Sequence, residues 1–296
     1  MKEVAERKRR FGDRYDGYKV KAKDPMFGVI PHIMRSRLDC QVFFEEQIDI
    51  SDLREFILEH RKEMPGLSAY HLFVAAAIRT IVQKPRLNRF VSGRKIYARN
   101  YLRASLTVKT SRSEDADEAI VMPEFAPTDT LYEVVQKFNE QVQEAKRQDE
   151  DAKGNDTDVI VRLINLLPGF AIKFVVWLLR NLDSIGKMPK IINRVSPFHS
   201  SLFVTNVGSI GLNSVYHHLY EFGTTSIFLA IGKKETVREL QSDGSVKSKT
   251  VINTRFVLDE RICDGYYFAT AIKLFKYYMK NPQLLLLPPD DIGEDR

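Results

Sequence analysis

The stretch that most constrains this chain is residues 226–260, "SIFLAIGKKETVRELQSDGSVKSKTVINTRFVLDE". "SIFLAIGKKE" is a short apolar run of the kind that forms a buried strand. From Lys233 the pattern reads as one long hairpin with Asp243-Gly244 at its tip, the dipeptide favoured in type I′ turns. A hairpin of this length commits the chain to a sheet.

The rest of the sequence supplies further strands and the helices to cover them. "QVFFEEQIDI" (41–50) has strand composition, and Ser51 follows as an N-cap, with Leu53, Phe56 and Ile57 spaced for one helical face. Gly66 ends that helix and Ser68 opens another. Its sequence, "AYHLFVAAAIRTIVQK", is apolar nearly all round and must be buried, with His71 as a core histidine, before Pro85 stops it. "GRKIYARNYLRASLTVKTSR" (93–112) reads as two strands and "AIVMPEF" as another. Thr130-x-x-Glu133 is a capping box ahead of a long helix, and the charged linker "RQDEDAKGNDTD" follows. "SLFVTNVGSIG" (201–211) runs from a strand into a glycine-bearing turn. A last helix begins near Tyr266 and ends at Asn281-Pro282.

Residues 159–184 are the most hydrophobic segment, but Arg162, Pro168-Gly169, Lys173 and Arg180 interrupt them. No uncharged run approaches the ~20 residues of a membrane span, so two short helices with a Pro-Gly break are expected. A core or subunit contact is preferred for them, ahead of a lid over an apolar substrate and of a membrane-surface contact. Membrane contact is therefore not expected.

At 296 residues, with 44% hydrophobic and 28% charged residues, the chain has the make-up of a globular protein. Its net charge of +6 is partly concentrated in the first 23 residues. Residues 1–25 are read as a basic, flexible tail and 26–296 as a single domain. No nucleic-acid signature is present, so no nucleic-acid partner is expected. The absence of an apolar leader, together with Cys40 and Cys263 outside any CxxC or metal spacing, points to a reducing cytoplasm and no metal.

Two C-terminal motifs carry a family resemblance. "DERICDGYYFA" and "KNPQLLLL" match the pattern D-H-R-x-x-D-G followed by a helix and N-P-x-x-L-L at Asp259, Arg261, Asp264, Gly265, Asn281 and Pro282. Upstream, "FVTNVGSIGL" and "SIFLAIGKK" match two motif strands in the right order and spacing, and "KPRLNRF" resembles a P-x-L-N stretch. Over roughly residues 30–290 the chain resembles the catalytic domain of the 2-oxoacid dehydrogenase dihydrolipoyl acyltransferases and, more distantly, chloramphenicol acetyltransferase. The resemblance implies an α/β two-layer sandwich, a mixed sheet covered by helices. It also implies a coenzyme A-dependent acyltransferase, with coenzyme A or acyl-coenzyme A as co-substrate and a small-molecule acyl acceptor. The family's site lies at a subunit interface, so a closed homotrimer is expected.

Two departures stand out. Glu260 occupies the position of the family's catalytic histidine, the general base on the attacking thiol, and no lipoyl domain or lipoyl group is found on this chain. Segment 159–184 has no counterpart in the family pattern. A thiol pKa of about 8.5 lies about two units above histidine and about four above an unperturbed glutamate. The extra mismatch is worth about 3 kcal/mol, or about a hundredfold in rate. Burial of an unpaired glutamate recovers much of that. Glu260 therefore serves as base only if it is sheltered and unpaired, which requires Arg261 to point away from it.

By the same resemblance Thr205 is the oxyanion donor. Asp264 is the positioning residue, held by an arginine for which Arg35 and Arg37 are candidates. Asn206, Gly265, His217 and His218 are placed around the substrate, and one of the two histidines could supply the missing base. Each also has a plainer reading: Thr205 as an ordinary strand residue, Asp264-Gly265 as a turn, and His217-His218 as a loop pair. The alternative function is a non-catalytic homologue, a pseudoenzyme kept as an assembly or ligand-binding scaffold.

Overall fold

The computed structural model describes residues 8–21, 25–109, 118–150 and 166–295. Its centre is a mixed sheet in the order β2 (Gln41–Asp49), β10 (Val246–Asp259), β9 (Ile227–Leu240), β8 (Leu202–Asn206), β5 (Leu102–Lys109) and β6 (Glu118–Val121). β7 (Glu124–Phe125) pairs with the start of β5. β5, β8 and β9 run parallel, while β10, β2 and β6 are antiparallel to their neighbours. A second, antiparallel sheet joins β1 (Gly17–Lys19), β4 (Lys95–Arg99) and β3 (Arg89–Ser92).

Strand alternation sorts the large sheet into two faces. Val204, Leu229, Ile231, Phe256 and Leu258 turn toward α3 (Ala69–Gln83) and α7 (Gly265–Lys280) and join one core with Phe73, Phe268 and Phe275. α2 (Leu53–His60) and α4 (Leu131–Glu150) complete that layer. Every residue of α3 from His71 to Val82 is buried, as its all-round apolar sequence requires. His71 is held between Ser68 Oγ at 2.8 Å and Asn139 Oδ1 at 3.1 Å. The opposite face carries Phe203, Phe228, Ala230 and Val257, under a loop that brings in Leu219 and Tyr220.

The hairpin runs as read, but its tip differs. Only Gly244 is left-handed, at φ 83°, and its N–H donates to Gln241 O at 3.0 Å while Gln241 N–H reaches Ser245 O at 2.8 Å. Asp243 is not left-handed, so the turn is not type I′. The glycine instead follows the turn as a one-residue bulge. α2 also starts differently. Asp52 is its N-cap residue, and Ser51 Oγ is engaged with Asp49 and with the N–H of Thr250. The capping box is half formed, with Glu133 reaching back to Thr130 N–H at 2.8 Å.

Within the tail expected to be flexible over residues 1–25, the described part departs from that expectation: residues 17–19 form β1, and Arg14 and Asp16 are buried. The Arg14 guanidinium binds Asp16 at 2.7 Å, Asp183 Oδ1 at 2.6 Å and Ser92 Oγ at 2.7 Å, an arrangement no basic composition predicts. Before the sheet stands α1 (Pro25–Ile33).

Residues 110–112, the linker 151–158 and the half of the apolar segment at 159–165 lie outside the described residues. The other half forms α5 (Gly169–Ser184), and α6 (Lys190–Val195) follows. α5 is not core: Phe170, Phe174 and Trp177 stand 77%, 59% and 58% exposed. None of the described helices is long and apolar enough to cross a membrane.

Candidate active site

The turn after β10 is fixed from several sides. Glu260 N–H donates to Cys40 O at 2.9 Å. Asp259, fully buried, accepts from Arg261 Nε and Nη2, both at 2.8 Å, and lies 3.7 Å from Arg37. Arg89 donates to Ile262 O at 3.2 Å and pairs with Asp295. Asp264 then caps α7, its Oδ1 accepting from Tyr267 N–H at 2.8 Å. Gly265 is the first residue of that helix. The arginine beside Asp264 is Arg86 at 3.8 Å, not Arg35 or Arg37. The motif's Asp259 and Arg261 are thus a buried ion pair that shapes the turn, and Asn281 caps the far end of α7 by bonding Tyr277 O at 2.9 Å.

Glu260 is half-buried, and among the described residues its side chain has no hydrogen bond or ion pair. Arg261 does point away from it, but for a different reason than strand alternation. Position 260 is already in the turn, and Asp259 captures the guanidinium. Burial pushes the thiol of Cys40 up to about 11 and that of Cys263 higher still, so neither cysteine is a nucleophile at neutral pH.

Thr205 lies on β8, on the face away from the helices. It accepts a hydrogen bond from Thr107 Oγ1 at 3.0 Å, so its own hydroxyl proton remains available to another acceptor. Thr107 was not singled out by sequence. Its place on alternate positions with Ser105 in "ASLTVK" was the available signal. Asn206 ends β8 and enters a tight turn in which Ser209 Oγ bonds its carbonyl at 2.7 Å. The glycines of the two motif strands are explained here: a Cβ on Gly208 would collide with Gly232 O, and one on Gly232 would sit 2.5 Å from Ser214 N.

Thr205 and Glu260 do not meet within one chain. Thr205 is level with Ala230, and Ala230 with Arg255. Five residues of β10 and two strand spacings then separate it from Glu260, about 19 Å. His217 is on the Thr205 side of the sheet. Its ring lies flat on Phe228 at 4.0 Å, and Phe228 stacks on Phe203 at 5.0 Å, one pleat repeat of about 7 Å from Thr205. Its Nδ1 is 2.8 Å from His218 O, and burial holds its pKa below the usual histidine value. His218 Nδ1 lies 3.1 Å from Leu219 O. Among the described residues no group of histidines, cysteines and carboxylates could hold a metal.

Comparison with known proteins agrees with this architecture. No curated protein matches the chain. Among solved structures, the cubic core of a pyruvate dehydrogenase multienzyme complex is 11% identical with a TM-score of 0.57, covering 91% of this chain and 95% of that one. The dihydrolipoamide acetyltransferase of Azotobacter vinelandii is 12% identical with a TM-score of 0.58, over 91% and 95%. In that enzyme a serine, a histidine and an asparagine four residues after the histidine were investigated for the catalytic mechanism. Chloramphenicol acetyltransferase is 10% identical with a TM-score of 0.52, over 88% and 96%. At such identities the likeness is one of fold. The family model of the 2-oxoacid dehydrogenases acyltransferase (catalytic domain) matches residues 198–287, so both Thr205 and Glu260 lie within the stretch of this chain that is similar to that catalytic domain.

Proposed function

We propose that the chain is a coenzyme A-dependent acyltransferase whose reacting centre is shared between copies in a closed homotrimer. The observation that carries this reading is the Glu260 carboxylate, which stands unpaired in a pinned turn although Arg261 is its neighbour, at the position that the sequence resemblance would give to the family's base. In the proposed reaction Glu260 accepts the proton of the attacking thiol, and the thiolate adds to the acyl carbonyl. The tetrahedral intermediate collapses by breaking the donor's acyl bond, the departing donor group taking the proton back from Glu260. Thr205 of an adjacent copy donates its hydroxyl proton to the oxyanion, an interaction commonly worth about 3 kcal/mol. Asp264 contributes by capping α7 and ending the turn, so it positions and does not react.

A shared centre is favoured because about 19 Å separates Glu260 from Thr205 within one chain. Subunit complementation tests it. Glu260→Gln and Thr205→Ala are each expected to be inactive. Their mixed, reassembled oligomer should regain activity, because some interfaces then pair an intact Glu260 with an intact Thr205. Failure of the mixture to recover, with both variants folded, overturns the shared centre. Glu260→His should match or exceed wild type, imidazole being closer in pKa to a thiol. A rise in melting temperature with coenzyme A is expected independently of turnover.

A second reading makes His217 the base. Its Nδ1–H can be satisfied by His218 O, which leaves Nε2 as an acceptor on the Thr205 side. Equal, substantial activity in wild type and Glu260→Gln, together with loss in His217→Gln, would select it.

A further inference from the structure

A cleft of about 230 Å³ opens where five pieces of chain converge, and five arginines line it: Arg35, Arg37, Arg94, Arg180 and Arg261. Neither Glu260 nor Thr205 does. Arg37 and Arg261 are buried in its floor. Arg37 gives Nη1 to Tyr220 O at 2.9 Å and Gly223 O at 3.0 Å, while its buried Nε has no hydrogen-bond partner. At the rim Arg180 lies 3.9 Å from Glu221. Arg35 and Arg94 are exposed there and, among the described residues, form no hydrogen bond or ion pair through their guanidinium groups.

The backbone holds one of these free cations in an unfavourable conformation. Gly93 and Arg94 form the β3–β4 turn with φ 55° and 60°, both left-handed, where asparagine or glycine is the usual choice. A Cβ on Gly93 would strike the carbonyl of Ser184, so the turn is seated on the end of α5 and Arg94 is presented beside Arg180. Strain of this kind is typical of ligand-binding positions.

Charge defines the occupant. The cluster contains Arg14, Arg35, Arg37, Arg94, Arg180 and Arg261 against Asp16, Asp183, Glu221 and Asp259, an excess of two positive charges. A phosphate monoester carries about −1.5 to −2 at neutral pH and offers three acceptor oxygens to forked guanidinium donors. The volume lies below the roughly 300–1,000 Å³ of sites that enclose a drug-sized ligand, so the anion enters and the rest of the molecule stays outside. The same helix that supplies Arg180 exposes Phe170, Phe174 and Trp177, an apolar surface next to the rim. We propose that this cleft is a second ligand site, one that binds the phosphate group of a phosphomonoester, whether free in solution or as the headgroup of an anionic lipid.

The test compares the full chain with the double variant Arg35→Gln/Arg94→Gln, both exposed positions whose loss should leave the melting temperature unchanged. Titration calorimetry with inorganic phosphate at constant ionic strength reads the soluble source. Flotation with phosphatidylcholine vesicles, with and without phosphatidic acid, reads the lipid source. Binding in either assay that weakens about tenfold or more in the double variant supports the site. Flotation that needs phosphatidic acid and is lost in Trp177→Ser assigns the lipid source, whereas phosphate binding indifferent to Trp177→Ser assigns the soluble one. Absence of binding in both assays, or binding retained by the double variant, overturns it.

Discussion

His199 makes the stability of this protein depend on pH in a way that one substitution should remove. Its ring is fully buried, with Nδ1 2.7 Å from Ser196 Oγ and Nε2 3.9 Å from Asp183, and Nε2 has no hydrogen-bond partner. Burial, only partly offset by Asp183, lowers its pKa from the usual 6.5 to about 4. The folded protein therefore disfavours the protonated ring while the unfolded chain accepts the proton near pH 6.5. The contribution is fully present above about pH 6.5, falls as pH drops, and is exhausted near pH 4. A depression of that size corresponds to about 3 kcal/mol in total, of which about 2 kcal/mol is lost between about pH 7 and about pH 4.5. Most of that range lies above the titration of carboxylates that hydrogen bonds and arginine neighbours hold low against the opposing effect of burial, such as Asp16 and Glu221. Burial also lowers the pKa of His71 and His217, so the wild-type slope is a sum and the diagnostic quantity is a difference. Urea unfolding followed by circular dichroism across this range, for wild type and His199→Asn, isolates it. The variant loses stability at neutral pH through imperfect packing, and its curve should then fall about 2 kcal/mol less on acidification. Parallel curves for the two proteins would refute the reasoning, because the ring would then titrate alike in the folded and unfolded states.

Two further outcomes follow from buried contacts. Arg14→Ala leaves the Asp16 and Asp183 carboxylates in a low-dielectric corner without their partner and should cost about 3–5 kcal/mol in chemical denaturation; removal of residues 1–20 should cost at least as much. An unchanged transition after either would mean that the N-terminal strand contributes no stability. Gly208→Ala forces a methyl group against the backbone of Gly232 and should cost about 1–3 kcal/mol, read as a drop in melting temperature, with a loss of turnover because Asn206 and Thr205 precede the displaced turn.

The sheet, the all-buried α3 and the long hairpin were legible because their signals are local: alternation, an unbroken apolar helix, two long strands around a glycine. The motif residues were legible too, but their division of labour was not. Asp259 and Arg261 match a family pattern as one unit, and only the fold reveals that they neutralise each other and leave Glu260 free. The partner of Asp264 was misread because Arg86 is 178 positions away and reaches it only after α7 packs beside α3. The docking of residues 13–19 was hidden for the same reason. A run rich in lysine and arginine looks solvated unless the buried carboxylate waiting for one of them, Asp183, is known.

That last contact bears on how the chain is made. Arg14 and Asp183 are 169 residues apart, and β1 pairs with a strand some 80 residues further on. During synthesis the first strand emerges long before either partner. The corner closes only after α5 has left the ribosome, by a loop closure whose entropy cost grows with the logarithm of its length. Until then Arg14 and Asp16 must stay in water. A nascent chain arrested before residue 183 should therefore leave its N-terminus open to proteases, and the same N-terminus should become protected when α5 is complete.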